Sequence, residues 1–373
     1  MAKYQNVGTP RFYVDYFQYA LTTGILSDED INVVTGNDFN LDQIRNLFYL
    51  NPTKTNIIKE EYLQEYDNAD FKELNIRTNT NFKTTDYAFD YYGILNHNLK
   101  EIYSPNIEGG SMGLSYQDDN NYYAVLENIQ NTNSINMNVN QINSNGFSFV
   151  DLKSGNNEIG ADPLAVSFDF RFVNEENANL KLGALTAGYY YDMPHSPDLD
   201  LTLTREYGGS TKQFTKGGYL LTNYNYTQPP TWGDSEPWGT YTNTPRKVQK
   251  RRAGRRRWDL KFSYIASSDL MADIETLDND ILSDLNVLSH TYDQFASGST
   301  ENGFDFAFTQ DTSFFTQFMQ KTLGGSLRFI FQPDKTDFTP DGFAICVLDQ
   351  DSISFKQVAH NTYNVSLKIL EVW

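Results

Sequence analysis

The chain is poor in the residues that most often carry chemistry. A single cysteine, Cys346, in 373 residues excludes an intrachain disulfide and argues against a cysteine-based metal site. The four histidines, His97, His195, His290 and His360, stand far apart in neither a HExxH nor a His-x-His arrangement. A zinc site would have to gather three or four ligands from distant segments, and surface or hydrogen-bonding histidines fit as well. There is no Walker loop and no GxGxxG. No run of about 18 apolar residues occurs, so nothing reads as a bilayer-spanning helix. The opening stretch MAKYQNVGTPRFYVDYF has no uninterrupted apolar segment and no signal cleavage site, so no leader is expected there. No cofactor is expected either.

What the chain has in quantity is acid and aromatic surface. Asp and Glu number 48 against 29 Lys and Arg, a formal charge of −19. Carboxylate pairs of the kind glycosidases use must then arise by chance, and the sequence singles none out. Acid-rich turns such as TGNDFN, YQDDNN and DQDS lack the ligand spacing and closing Glu of an EF-hand loop. With 25 Tyr and 26 Phe the chain can build cores despite its low hydropathy. Its length suggests two or three units of about 100–200 residues.

Most of the pattern is strand. VSFDFRF sets Val166, Phe168, Phe170 and Phe172 against Ser167, Asp169 and Arg171, a period of two. INMNVNQI sets Ile135, Met137 and Val139 against Asn136, Asn138 and Asn140. WDLKFSY does the same with Trp258, Leu260, Phe262 and Tyr264, and TYNVSLKILEVW with Tyr363, Val365, Leu367 and Ile369. Gly/Asn/Asp/Ser clusters divide these runs, which argues for sandwiches or barrels. Helical spacing is confined to RFYVDYFQYALTTG, ending near Gly24, to Ser268–His290, and to DTSFFTQFMQKTLGG, which closes on Gly324–Gly325. The expected fold is therefore mainly β with one or two helices. A partly helical extension covers residues 1–45, a sandwich 46–190 and a strand-rich domain 191–373.

One segment opposes the charge of the rest. PRKVQKRRAGRRRW, residues 245–258, crowds Arg246, Lys247, Lys250, Arg251, Arg252, Arg255, Arg256 and Arg257 together. Three readings apply: contact with the acidic surface of another subunit, a solvated loop kept open by self-repulsion, or a nucleic-acid arm helped by Trp232, Trp238 and Trp258. Arginine forks pair carboxylates in two-point contacts, which favours the first; nucleic acid is the least favoured, because the remaining surface repels it.

The order of segments from Tyr189 onward resembles structural proteins of tailed bacteriophages and, more distantly, the tail-tip family of minor and distal tail proteins. The matching pieces are Gly217–Gly218 before a strand with Arg256, Trp258, Leu260 and Phe262. A helix follows, ending on Gly324–Gly325 before Phe331 and Pro333, and then the Tyr363–Trp373 strand. The resemblance covers about the last half of the chain. It implies a C-terminal tail-ring domain of split-barrel type, and a jelly-roll-like sandwich ahead of it in which Ile94, Leu95, Asn96, His97, Asn98 and Leu99 mark a strand end. Asn96 and Asn98 there can satisfy backbone groups, and His97 reads as a structural corner.

The resemblance implies a non-enzymatic virion component made in the bacterial host cytoplasm and residing in the tail. Its partners would be copies of itself, in a ring closed by head-to-tail contacts and by resemblance hexameric, together with other tail proteins and no membrane. Two rivals stand beside it. A carbohydrate- or receptor-binding module would offer Tyr189, Tyr190, Tyr191, Trp232 and Trp238 to a host surface glycan, and a glycan-cleaving enzyme would need two convergent carboxylates or a metal. On the ring reading, serine at Arg251, Arg252, Arg255 and Arg256 leaves the fold intact and weakens assembly, as light scattering would record.

Overall fold

A computed structural model describes residues 7–27, 30–34, 45–52, 54, 56–58, 64–66, 71–78, 90–97, 111–117, 122–126, 141–144, 147–151, 165–173, 180–199, 201–206, 210–224, 255–271, 313–338 and 342–372. Among them the chain is mainly β, and every strand pairing is antiparallel.

The largest sheet has eleven strands. In chain order they are β1 (Arg11–Asp15), β2 (Tyr91–Leu95), β3 (Gln141–Ser144), β4 (Phe147–Asp151), β5 (Ala184–Asp192), β6 (Thr202–Glu206), β7 (Arg255–Ala266), β8 (Phe329–Gln332), β9 (Ala344–Leu348), β10 (Phe355–Ala359) and β11 (Thr362–Glu371). Across the sheet they run β6-β7-β11-β9-β8-β1-β5-β2-β4-β3, with β10 beside β9 on the same edge of β11. A second sheet of six strands is built wholly from residues 31–173: Ile31–Val34, Phe71–Thr78, Ala165–Val173, Ser111–Gln117 and Tyr122–Leu126 in that order, with Gln64–Tyr66 added to Phe71–Thr78. The VSFDFRF pattern thus forms a strand as its period predicts; residues 135–140 of INMNVNQI lie outside the described residues.

The first strand is central. β1 pairs with β5 on one edge and with β8 on the other, and all five of its residues are buried. Phe12 and Val14 enter one core with Trp258, Leu260, Phe262, Phe329, Phe331 and Leu367, while Tyr13 enters another with Tyr91, Phe149, Ile330 and Ile345. Strands buried on both faces read as continuous apolar runs instead of alternating ones. That is why RFYVD carries no period of two and why its spacing was compatible with a helix.

The helix starts later, as α1 (Tyr16–Thr23), and ends on Gly24 in a left-handed conformation with φ 79°. Asp15 is its N-cap, with Oδ1 accepting from the amide of Phe17 at 3.0 Å and of Gln18 at 3.4 Å. The same residue therefore closes the strand and caps the helix.

Three further expectations change. The boundary at 190/191 falls inside β5, so the large sheet runs across it without a break. The Ser268–His290 pattern overlaps a single helical turn, Ser267–Leu270, with residues 272–312 outside the described set. Tyr264 does not share the face of Trp258, Leu260 and Phe262. The pairing with β11 slips between Phe262 and Ile265, Tyr264 takes φ 63° and is 76% exposed, and Ile265 takes the inward place. A one-residue bulge moves every later side chain to the opposite face, which strict alternation cannot foresee.

The third helical segment appears as a π-helical turn, Phe315–Gln320, capped by Ser313 and packed by Phe314 and Phe318 against Phe12. It ends through Leu323, Gly324 and Gly325, all with positive φ. At Gly325 a Cβ would meet the Leu348 side chain at 2.3 Å, so glycine serves both the conformation and the contact. At Gly188 in β5 a Cβ would lie 2.1 Å from the Val14 carbonyl oxygen; the missing side chain lets β1 close on β5.

Burial pushes the Asp15 carboxyl well above the usual carboxylate range, outweighing the hydrogen bonds from Gln18, Phe17 and Thr186. The fold thus favours its neutral form, while unfolding lets it ionise above its ordinary value of 3.8. Stability falls as pH rises from that value toward the raised pKa. Asp15→Asn keeps the capping acceptor and removes the charge, so its stability relative to the wild type is expected to rise as pH increases toward 7. Thermal denaturation should show that difference growing from the acid end of the range. A difference that does not grow would mean that the helix N-terminus holds a charged carboxylate.

Candidate interaction surface

β7 emerges directly from the basic run. Arg246, Lys247, Lys250, Arg251 and Arg252 lie outside the described residues; Arg255, Arg256 and Arg257 are the first three residues of the strand. Alternation alone then separates their fates. Arg256 falls on the inward face with Trp258, Leu260 and Phe262, whereas Arg255 and Arg257 face outward. Across the pair, β11 presents Val365, Leu367 and Ile369 inward, and Glu371 continues that face.

Arg256 and Glu371 therefore meet at the end of an apolar ladder. The guanidinium gives Nε to Glu371 Oε2 at 3.0 Å and Nη2 to Oε1 at 2.9 Å, and the Arg256 backbone amide donates to Oε2 at 2.8 Å. Nη2 also donates to the Phe343 carbonyl at 2.6 Å. The side chains are 8% and 5% exposed, and the guanidinium lies 5.3 Å from the Trp258 ring centroid. Such a fork is charge-assisted at two points and leaves the carboxylate fully engaged.

Arg257, on the other face, bonds Glu206 of β6 at 3.0 Å and also pairs with Asp349. Arg255 sits opposite Glu206 in the β6–β7 register. The described end of the basic run thus meets acids of its own chain. For Arg256 the expectation of an exposed interface residue is corrected: strand alternation turns it into the core. Serine there strikes the fold itself, so serine at Arg251, Arg252, Arg255 and Arg256 together is not neutral to folding.

The aromatic run is corrected in the same way. Tyr189 and Tyr191 are each 7% exposed. Tyr189 carries the Lys321 ammonium over its ring at 4.1 Å, and the Tyr191 hydroxyl donates to the Asp269 carbonyl at 2.8 Å. Tyr190 is covered by the Arg11 guanidinium, 3.7 Å from its ring centroid. Arg11 in turn grips Asp192 through Nε at 2.5 Å and Nη2 at 3.0 Å, with Lys335 at 3.3 Å. Burial opposes the charged Asp192, yet the bonds and charge of Arg11 and Lys335 hold it below the usual carboxylate range. These rings are spent inside the chain and do not offer open platforms to a sugar. Trp232 and Trp238 lie outside the described residues.

The remaining candidates have structural settings. His97 is 5% exposed and burial pushes it down to about 4, so it stays neutral. Beside it Asn96, at φ 55°, donates to the Pro52 carbonyl at 2.6 Å, ending β2. Cys346 is buried, and burial with Glu371 nearby pushes its thiol up, the setting of an inert cysteine. Gly217–Gly218 occupy a turn between two strands and do not lie within one. GGSMG at residues 109–113 has the GxSxG spacing, but Ser111 opens the antiparallel strand Ser111–Gln117 opposite Arg171. A nucleophile elbow needs a turn from strand to helix. Among the described residues no three His, Cys, Asp or Glu side chains gather to hold a metal ion, and no helix is long and apolar enough to cross a membrane.

Breaking the buried pair from one side is expected to cost about 3–5 kcal/mol, since it strands a charge. Glu371→Gln should show that loss in urea denaturation, and Arg256→Met with Glu371→Leu should recover most of it. A loss below about 1 kcal/mol in the single variant would mean that water screens the pair.

Against known proteins, no family model, no curated protein and no solved structure matches this chain.

Proposed function

We propose that the chain is a structural component of a bacteriophage virion, a tail, tail-tip or baseplate ring subunit that assembles with copies of itself and with neighbouring tail proteins. The supporting observation is that all the described pieces carrying the resemblance except Gly217–Gly218 converge. Arg256, Trp258, Leu260 and Phe262 of β7, the inward residues of β11 and Phe331 of β8 lie in strands of one sheet, β9 standing between β11 and β8, and the turn ending at Gly324–Gly325 packs over them. Segments scattered along the last half of the sequence thus act as one packing unit.

On this reading residues 191–373, joined by β1 and β5, form the ring module. The six-stranded sheet of residues 31–173 is part of a jelly-roll-like sandwich carried ahead of it. The chain works mechanically. Head-to-tail contacts close identical subunits into a ring, hexameric by resemblance, and the acidic surface keeps free copies apart until specific contacts form.

Light scattering and electron microscopy of the purified chain test this. Closed rings of uniform size are expected. A monomer at every concentration, or glycan release abolished by a single Asp or Glu substitution, would contradict it.

A further inference from the structure

Among the described residues two small sheets stand apart from the large ones: Asn56–Ile58 with Leu180–Leu182, and a hairpin. In the hairpin Ser210–Phe214 and Leu220–Tyr224 pair only with each other among the described strands, Phe214 opposite Leu220 and Gln213 opposite Leu221. The turn between them is well made. The Thr215 amide donates to the Tyr219 carbonyl at 2.9 Å, the Gly218 amide to the Thr215 carbonyl at 2.9 Å, and the Tyr219 amide to Thr215 Oγ1 at 3.1 Å. Every side chain from Thr211 to Leu221 is exposed. They include Phe214 at 74%, Tyr219 at 70%, Leu220 at 43% and Leu221 at 51%.

An isolated two-stranded hairpin is marginal in water, and one presenting four large apolar side chains on both faces is more costly still. Its charge narrows the choice of partner. Residues 210–224 contain Lys212 and Lys216 and no acidic residue, in a chain of net charge −19. A surface complementary to this hairpin is apolar with an acid beside it. Among the described residues such a place lies at Asp198. Asp198 donates its amide to the Lys261 carbonyl at 2.8 Å and accepts from Ser263 Oγ at 2.7 Å. The next residue along each segment is Leu199, fully exposed, and Tyr264, 76% exposed at the bulge of β7.

We infer that the hairpin is an assembly arm. Its Phe214, Tyr219, Leu220 and Leu221 pack on the exposed Leu199 and Tyr264 of a second copy, and Lys212 and Lys216 meet Asp198 beside them. The contact joins two different surfaces, so it propagates from copy to copy and closes only as a ring. This rests on the self-assembly reading and names the surfaces that would carry it.

The test is sedimentation velocity of the full chain across concentration, with thermal denaturation to monitor the fold. Phe214→Ser with Leu221→Ser should weaken association about tenfold or more and leave the melting temperature unchanged, because neither residue is in a core. Lys212→Glu with Lys216→Glu is a second variant that spares the apolar surface; it should weaken association and reduce its dependence on salt. Leu220→Cys and Tyr264→Cys proteins, whose native Cys346 is buried, should form a disulfide between chains when mixed under oxidation. Wild-type assembly with both arm variants unaffected and no mixed disulfide would overturn the arm and leave self-assembly standing. A wild type that stays monomeric would overturn both.

Discussion

The structure depends on how one short segment is held. β1 is five residues long, yet it lies between β5 and β8 with both edges paired and both faces covered. Phe12 touches the rings of Phe314, Phe318, Phe329 and Phe331 with centroids 4.7–6.0 Å away. Tyr13, on the other face, meets Tyr91 and Phe149 edge-on near 5 Å and gives its hydroxyl to Gln332 at 2.9 Å. Strands from the first and last parts of the chain are thereby stitched into one hydrogen-bonded surface. Residues this far apart in sequence pay a large loop-closure entropy before they gain contacts, and aromatic burial on two faces is the compensating term.

Charge is managed by the same economy of position. The acidic excess would push a compact chain apart, but several acids are tied to arginines at strand junctions. Glu371 holds Arg256, Asp192 holds Arg11, and Glu206 with Asp349 holds Arg257. Arg11 opens β1 and Arg256 is the second residue of β7, each at the end of a buried strand face. Their forks satisfy the polar end of the ladder where a hydrophobic residue would meet solvent and a bare charge would be stranded.

The sequence makes some of this legible and hides the rest for identifiable reasons. Strands with one wet face announce themselves: the inward Trp258, Leu260 and Phe262 of β7 and Val365, Leu367 and Ile369 of β11 follow a period of two. β1 does not, because burial on both faces removes the polar half of the alternation. The slip at Tyr264 is invisible because a bulge depends on the partner strand, here on Asn364 Oδ1, which accepts from the Tyr264 amide at 3.0 Å. The basic run looks like a single feature until the strand begins. From there each arginine's role depends on which face it occupies and which acid lies across from it, and Glu371 is 115 residues from Arg256. Tyr189, Tyr190 and Tyr191 show the same blindness: composition suggests a platform, whereas tertiary cover decides.

The central claim is that β1 binds the two parts of the chain into one cooperative sheet. Native-state hydrogen exchange of the amides in β1, β5 and β8 tests it most directly. The account predicts that all three strands exchange together, at the free energy of global unfolding. Early exchange of β5 and β1 while β8, β9 and β11 stay protected would contradict it, since the last part of the chain would then stand on its own.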